Sequence, residues 1–163
     1  MVPKVYLETS IVSYFDTPNG CPESEARRNW TRQWWNQCDR RFELVSSVLV
    51  IEELQRLSAQ RHGDTWELLR HVELLPVPPE AADVARVYLS RKALAEATIA
   101  DAMHLALAAV HGIDIVLTWA CRRLAHPLCL NQWRVINYEL GLSTPVILTP
   151  LSFVDGECAD DGR

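Results

Sequence analysis

Short apolar runs along this chain alternate with longer stretches in which apolar residues recur every third or fourth position. The runs Lys4–Leu7, Phe42–Ser46, Glu73–Pro76, Asp114–Thr118 and Val146–Leu148 predict strands. Between them the spacing predicts helices over Ser24–Cys38, Val48–Gln60, Asp64–Val72, Pro79–Leu89, Thr98–His111 and Leu128–Leu140. Strands that alternate with helices are joined by right-handed crossovers, so the expected fold class is α/β, with a mainly parallel central sheet between helical layers. Asn19–Pro22 reads as a loop and Pro76–Pro79 as a turn before a helix. Residues 1–154 read as one domain, and the polar, acidic Asp155–Arg163 as a frayed, disordered tail.

One residue breaks the first apolar run. Glu8 follows Val5, Tyr6 and Leu7 at once, where a buried strand is expected to give way to a turn, and Thr9 and Ser10 come next. In open parallel sheets, chemistry gathers at the carboxyl ends of the strands, and Glu8 stands at such an end.

Two more acids sit at informative positions. In "SSVLVIEELQRL", at about 100° per residue, Val50, Ile51, Leu54 and Leu57 form one apolar stripe. Glu53 falls at the margin of that stripe, and Glu52 nearly opposite it, toward solvent. Two surface glutamates are the plainer alternative. In "TIADAMHLALAAVHG", Thr98 and Asp101 have capping-box spacing, which by itself accounts for Asp101. The helix behind Asp101 is apolar enough to be buried, so the same carboxylate also stands where ligands bind. His104, one turn on, reads either as a satisfied half-buried histidine or as a residue that orients a carboxylate.

Composition narrows the class. The chain has 163 residues, 48% of them hydrophobic and 23% charged, enough for one ordinary core. No apolar run reaches the ~20 residues of a membrane helix, so a cytoplasmic protein is expected. The five cysteines form no CxxC pair, which supports neither a zinc site nor a disulfide framework. A net charge of −5 argues against a protein that coats nucleic acid, though not against one that cuts it. Three carboxylates without partner lysines call for a divalent cation, and all-oxygen donors suit Mg²⁺ or Mn²⁺.

The stretches "VYLETSIVSYF", "SSVLVIEEL", "DAMHLALAAVHGIDIVLTW" and "CRRLAHP", in this order, resemble the PIN-domain ribonucleases, in particular VapC-like toxins of toxin–antitoxin systems. The resemblance implies a PIN-like α/β/α sandwich and a metal-dependent endoribonuclease, with Glu8, Glu53 and Asp101 as catalytic metal ligands. It also implies that Thr9, Ser10, Ser47 and Thr118 are the hydroxyls around the metals, and that RNA, a small antitoxin protein and a second copy of the chain are the partners. Two departures stand out. Glu8 occupies a position that is aspartate in the family, and Ala120 stands where an aspartate or asparagine is common, so activity is expected to be weakened. A decayed PIN-like module that binds RNA or protein is therefore the competing expectation.

Basic residues supply candidate RNA contacts. Arg122 and Arg123 follow the strand nearest the expected site and are the preferred phosphate ligands. Arg27, Arg28 and Arg32 share a helix with Trp30, Trp34 and Trp35, a pattern that stacks bases, makes the buried stripe of that helix or, as the family resemblance implies, supplies a homodimer or antitoxin contact. No GxSxG motif or glycine-rich phosphate loop supports another hydrolase class.

Overall fold

Three consecutive residues of the first strand, Val5, Tyr6 and Leu7, are completely buried, so both faces of that strand are covered. That requires a central position in a sheet with helices on each side. The structure, a computed structural model, describes residues 1–15, 20–38, 41–57, 63–91 and 98–154. Its sheet has the order β3-β2-β1-β4-β5, built from β1 (Lys4–Leu7), β2 (Glu43–Ser47), β3 (Glu73–Leu75), β4 (Ile115–Leu117) and β5 (Val146–Leu148). Every pairing is parallel, with Val5 opposite Leu44 on one side and opposite Ile115 on the other. The chain winds outward from β1 through β2 to β3, then returns to place β4 on the other flank of β1. The β1/β4 boundary is thus the topological switch point, where a crevice opens beyond the strand ends.

The helices are α1 (Thr9–Phe15), α2 (Pro22–Cys38), α3 (Val48–Leu57), α4 (Gly63–Leu69), α5 (Pro79–Ser90), α6 (Ile99–Val110), α7 (Cys121–Leu124), α8 (Pro127–Glu139) and α9 (Leu151–Val154). The fold is the expected α/β/α sandwich, and its sheet is wholly parallel. Helix α6 is buried on nearly every side, from Ala102 to Ala109 apart from Met103, because small alanines let it press closely on α5 and the sheet. Trp34, Trp133, Tyr6 and Tyr88 are the largest fully buried side chains of the core. No helix is long and apolar enough to cross a membrane among the described residues.

Several expectations need correction. The turn expected after β1 is a helix: α1 starts at Thr9, and Ile11 and Val12 bury its inner face. Helices α7 and α9 are also additional, each a single turn too short to show a periodicity. Residues 19 and 58–60, and the tail 155–163, lie outside the described residues. Pro22 opens α2 rather than closing a loop. Leu57, placed on the apolar stripe of α3, is exposed, while Val50 and Leu54 carry the burial. Trp34 is buried as the stripe reading of α2 requires, but Trp30 is only partly covered.

Candidate active site

A cavity of about 460 Å³ opens at the switch point, lined by Glu8, Thr9, Ser10, Glu53, Asp101 and His104 among others. The acids come from three different elements: Glu8 from the β1–α1 junction, Glu53 from the middle of α3, Asp101 from the first turn of α6. Glu52, one residue away, is exposed on the far side of α3. A strand that runs directly into a helix leaves Glu8 at the helix entrance, where donors converge on it. Its Oε2 accepts hydrogen bonds from Ser10 N (3.0 Å), the Ser10 hydroxyl and Thr118 Oγ1 (2.8 Å). Ser10 Oγ accepts in turn from Trp119 N at 2.8 Å, and Thr118 Oγ1 from Ala120 N at 2.9 Å. The ends of β1 and β4 are thereby tied together through one carboxylate.

Glu53 is held from the opposite side. Its Oε2 accepts from the Thr9 hydroxyl and lies 3.0 Å from His104 Nε2. Burial acts to raise its pKa. The hydrogen bond and charge of His104, the Thr9 hydroxyl and the charge of Arg56 outweigh that, so the Glu53 carboxyl sits below its ordinary range. The other nitrogen of His104, Nδ1, lies 2.7 Å from the Tyr6 hydroxyl, itself 2.8 Å from Ser47 Oγ. Burial pushes the Tyr6 phenol far up, so it keeps its proton. An ionised carboxylate only accepts, so His104 donates its Nε2–H to Glu53, while Nδ1, the Tyr6 hydroxyl and Ser47 Oγ continue the hydrogen-bonded chain into the core. His104 is fully buried and bonded at both nitrogens, so it is both the satisfied histidine and the one that orients a carboxylate.

This relay accounts for a residue that the sequence placed otherwise. Ser47, expected among the hydroxyls at the metals, does not line the cavity; it supports Glu53 at two removes and accepts from Val50 N at the start of α3. Tyr6 was missed. The available signal was a phenol in the middle of a buried strand, which needs a buried partner. Tyr6→Phe is expected to lower stability by about 1–3 kcal/mol, because Ser47 and His104 lose their shared partner in the core. A denaturant midpoint measures it, and an unchanged midpoint would show that the relay does not form.

Asp101 has both of its expected environments at once. Thr98 Oγ1 accepts from Asp101 N (3.2 Å) and Asp101 Oδ2 accepts from Thr98 N (2.9 Å), a complete capping box. The same carboxylate, 3% exposed, lines the cavity and accepts from Arg123 at Oδ2 (3.0 Å, from Nε) and Oδ1 (3.2 Å, from Nη2). Arg123, expected on RNA phosphate, is thus engaged with an acid in this structure. Arg122 is exposed and lines a second, adjoining cavity, and so does Ala120. Ala120, the N-cap of α7, lines that second cavity and is not among the residues that line the acidic one.

Three carboxylates and the surrounding hydroxyls make an all-oxygen donor set, which fits a hard divalent cation. Each acid is nevertheless tied to protein partners, and no three His, Cys, Asp or Glu side chains are gathered into a ready ligand set among the described residues. Loading the site requires at least the Arg123–Asp101 pair to yield.

Comparison with known proteins agrees with this architecture. The chain is similar to a chain of the FitAcB crystal structure from Neisseria gonorrhoeae, with a TM-score of 0.55 and 15% identity over 90% of this chain and 98% of that one. It is also similar to a chain of VapBC2 from Rickettsia felis, crystallised with a DNA fragment from their promoter, with a TM-score of 0.59 and 13% identity over 91% and 98%. At such identities the likeness is one of fold. No curated protein sequence gives a significant match. The family model of the PIN domain, however, matches residues 5–119, the span that carries β1, β4 and all three acids of the cavity, and the chain accordingly belongs to the PIN domain family.

Proposed function

We propose that this chain is a VapC-like, metal-dependent endoribonuclease and the toxin of a toxin–antitoxin pair, its activity carried by one domain over residues 1–154. The observation that carries the reading is the meeting of Glu8, Glu53 and Asp101, from three elements, in one cavity at the switch point of a PIN fold. The two similar structures, named for VapBC2 and FitAcB, favour the toxin role and a small antitoxin as partner. A homodimer and a cytoplasmic setting complete the proposal.

Glu8, Glu53 and Asp101 would hold Mg²⁺ or Mn²⁺, which when bound supplies charge stabilisation for a phosphodiester transition state and a more acidic water. The chain's own residues do the rest. Thr118 and Ser10 fix the rotamer of Glu8, whose extra methylene brings the carboxylate further into the cavity than aspartate. Thr9 and His104 keep Glu53 ionised and aimed. Arg123, freed from Asp101, faces the phosphate of the RNA, with Arg122 beside it. Incubation of a pool of structured RNAs with the protein tests this: cleavage with Mn²⁺ or Mg²⁺ and none with chelator is the expected result. No cleavage under either condition would remove the nuclease.

A non-catalytic RNA- or protein-binding module is the second reading, favoured by the Arg123–Asp101 pair, which neutralises an acid of the cavity. Calorimetric titration with Mn²⁺ separates the two, since a decayed site takes up no cation.

A further inference from the structure

The second cavity, of about 570 Å³, shares Arg123 with the acidic one and differs from it in chemistry. Its wall includes Trp30, Trp119, Arg27 and Arg122. The two indoles pack with ring centroids 6.2 Å apart and planes 33° from parallel. Trp119 is pinned: its Nε1–H donates to the buried Thr31 Oγ1 at 2.9 Å, and its backbone N–H to Ser10 of the acidic cavity. Its one polar atom is satisfied, and Arg27, Tyr14 and Trp30 pack against the ring, so the partly exposed indole offers aromatic surface without a free donor. The Arg27 guanidinium lies 5.5 Å from the Trp119 ring and is paired with Glu23 at 2.6 Å. Arg122 has no ion-pair partner among the described residues. A chain of net charge −5 thus gathers three guanidinium groups on one lip, next to its own carboxylates.

Building on the nuclease reading, we infer that this cavity seats an unpaired nucleotide of the RNA, next to the phosphodiester that is cut. The base lies against the Trp30–Trp119 wall and its phosphate meets Arg122, while Arg123 bridges to the acidic cavity. Charge complementarity and the shared Arg123 wall select an anionic polymer that runs through both cavities. An aromatic face without free donors stacks any base and reads none, which makes recognition tolerant of sequence. A base in a duplex has both faces covered by its neighbours, so the cavity takes only an unpaired one.

The test needs no cleavage. The ¹⁵N indole resonances of Trp30 and Trp119, assigned with Trp30→Phe and Trp119→Phe, are followed while UMP, CMP, AMP, GMP or ribose 5-phosphate is added to the whole chain. All four nucleotides are expected to move both signals, and each to bind at least about 5-fold more tightly than base-free ribose 5-phosphate. Equal binding with and without the base would overturn the stacking role. Cleavage of loop RNA with both indoles unmoved by nucleotides, and with Trp30→Ala as active as the parent, would overturn the cavity assignment and leave the nuclease standing. Nucleotides that move both indoles in a protein that cuts no RNA would keep the nucleotide pocket and remove the nuclease. If nucleotides leave the indoles unmoved and a purified protein partner moves them, the cavity is a protein contact and the inference fails.

Discussion

On the proposed nuclease reading, Asp101→Asn is expected to lower RNA cleavage by about 10³-fold or more and to leave the chain folded. The charge that would hold the cation is lost, and a cation supplies several kcal/mol of transition-state stabilisation. The side chain keeps its size and one carbonyl oxygen. That oxygen can still accept from the Thr98 backbone, so the capping box of α6 is weakened rather than removed. The partnership with Arg123 declines from an ion pair to a hydrogen bond from the cationic guanidinium to a neutral carbonyl. Together these changes cost about 1–2 kcal/mol, visible as a modest fall in melting temperature. Circular dichroism melts and a cleavage assay on the same preparation decide the matter. A variant that melts much lower, and whose folded fraction still cuts RNA normally, would make Asp101 a capping residue and nothing more.

Arg123→Ala acts in opposite directions on two observables. Without a cation the variant is less stable than the parent by about 1–3 kcal/mol, because a carboxylate 3% exposed loses its charged partner. Under the proposed metal site Arg123 and the cation compete for Asp101, so removal of the arginine is expected to tighten Mn²⁺ binding by about tenfold. That figure is at the low end of what a charged hydrogen bond supplies, because the Arg123 side chain is itself 46% exposed. Added Mn²⁺ therefore raises the melting temperature of the variant more than that of the parent. Cleavage moves the other way and falls by about 10²-fold, as the phosphate loses its donor. Thermal shift with and without Mn²⁺ reads the first effect and initial rates at saturating Mn²⁺ the second. Equal Mn²⁺ stabilisation of both proteins would show that Arg123 does not compete for the site.

Asp101 also shows why a motif read from sequence can carry two meanings. Capping-box spacing and a place in the wall of the candidate site look like alternatives along the chain. In the fold they coincide, because the first turn of a buried helix that faces a strand-end crevice is both a place that needs a cap and a wall of that crevice. His104 repeats the pattern. One turn from Asp101 it reads as core or as site, and it is both, since each ring nitrogen has its own partner. Glu53 against Glu52 was decided correctly by helical phase alone. A rotation of about 100° per residue separates the margin of the core from solvent, whatever packs against it.

Local pattern determined most of what is local in this protein. Short continuous apolar runs and 3.6-residue periodicity, with proline and capping residues at helix ends, set the five strands and the long helices. Their alternation dictates a parallel sheet with its chemistry at the strand ends. Helices α1, α7 and α9 were invisible because one or two turns hold too few residues to establish a period, and the covering chain decides their conformation. Contacts between residues far apart along the chain belong to the tertiary structure alone. They include Tyr6 and Ser47 behind His104, Arg123 on Asp101, Thr118 under Glu8, and Ala120 turned into a second cavity with Trp30 and Trp119. Each depends on which strand lies beside β1 and how far the adjoining helix is rotated. Those are properties of the packed sheet, and no window of sequence contains them.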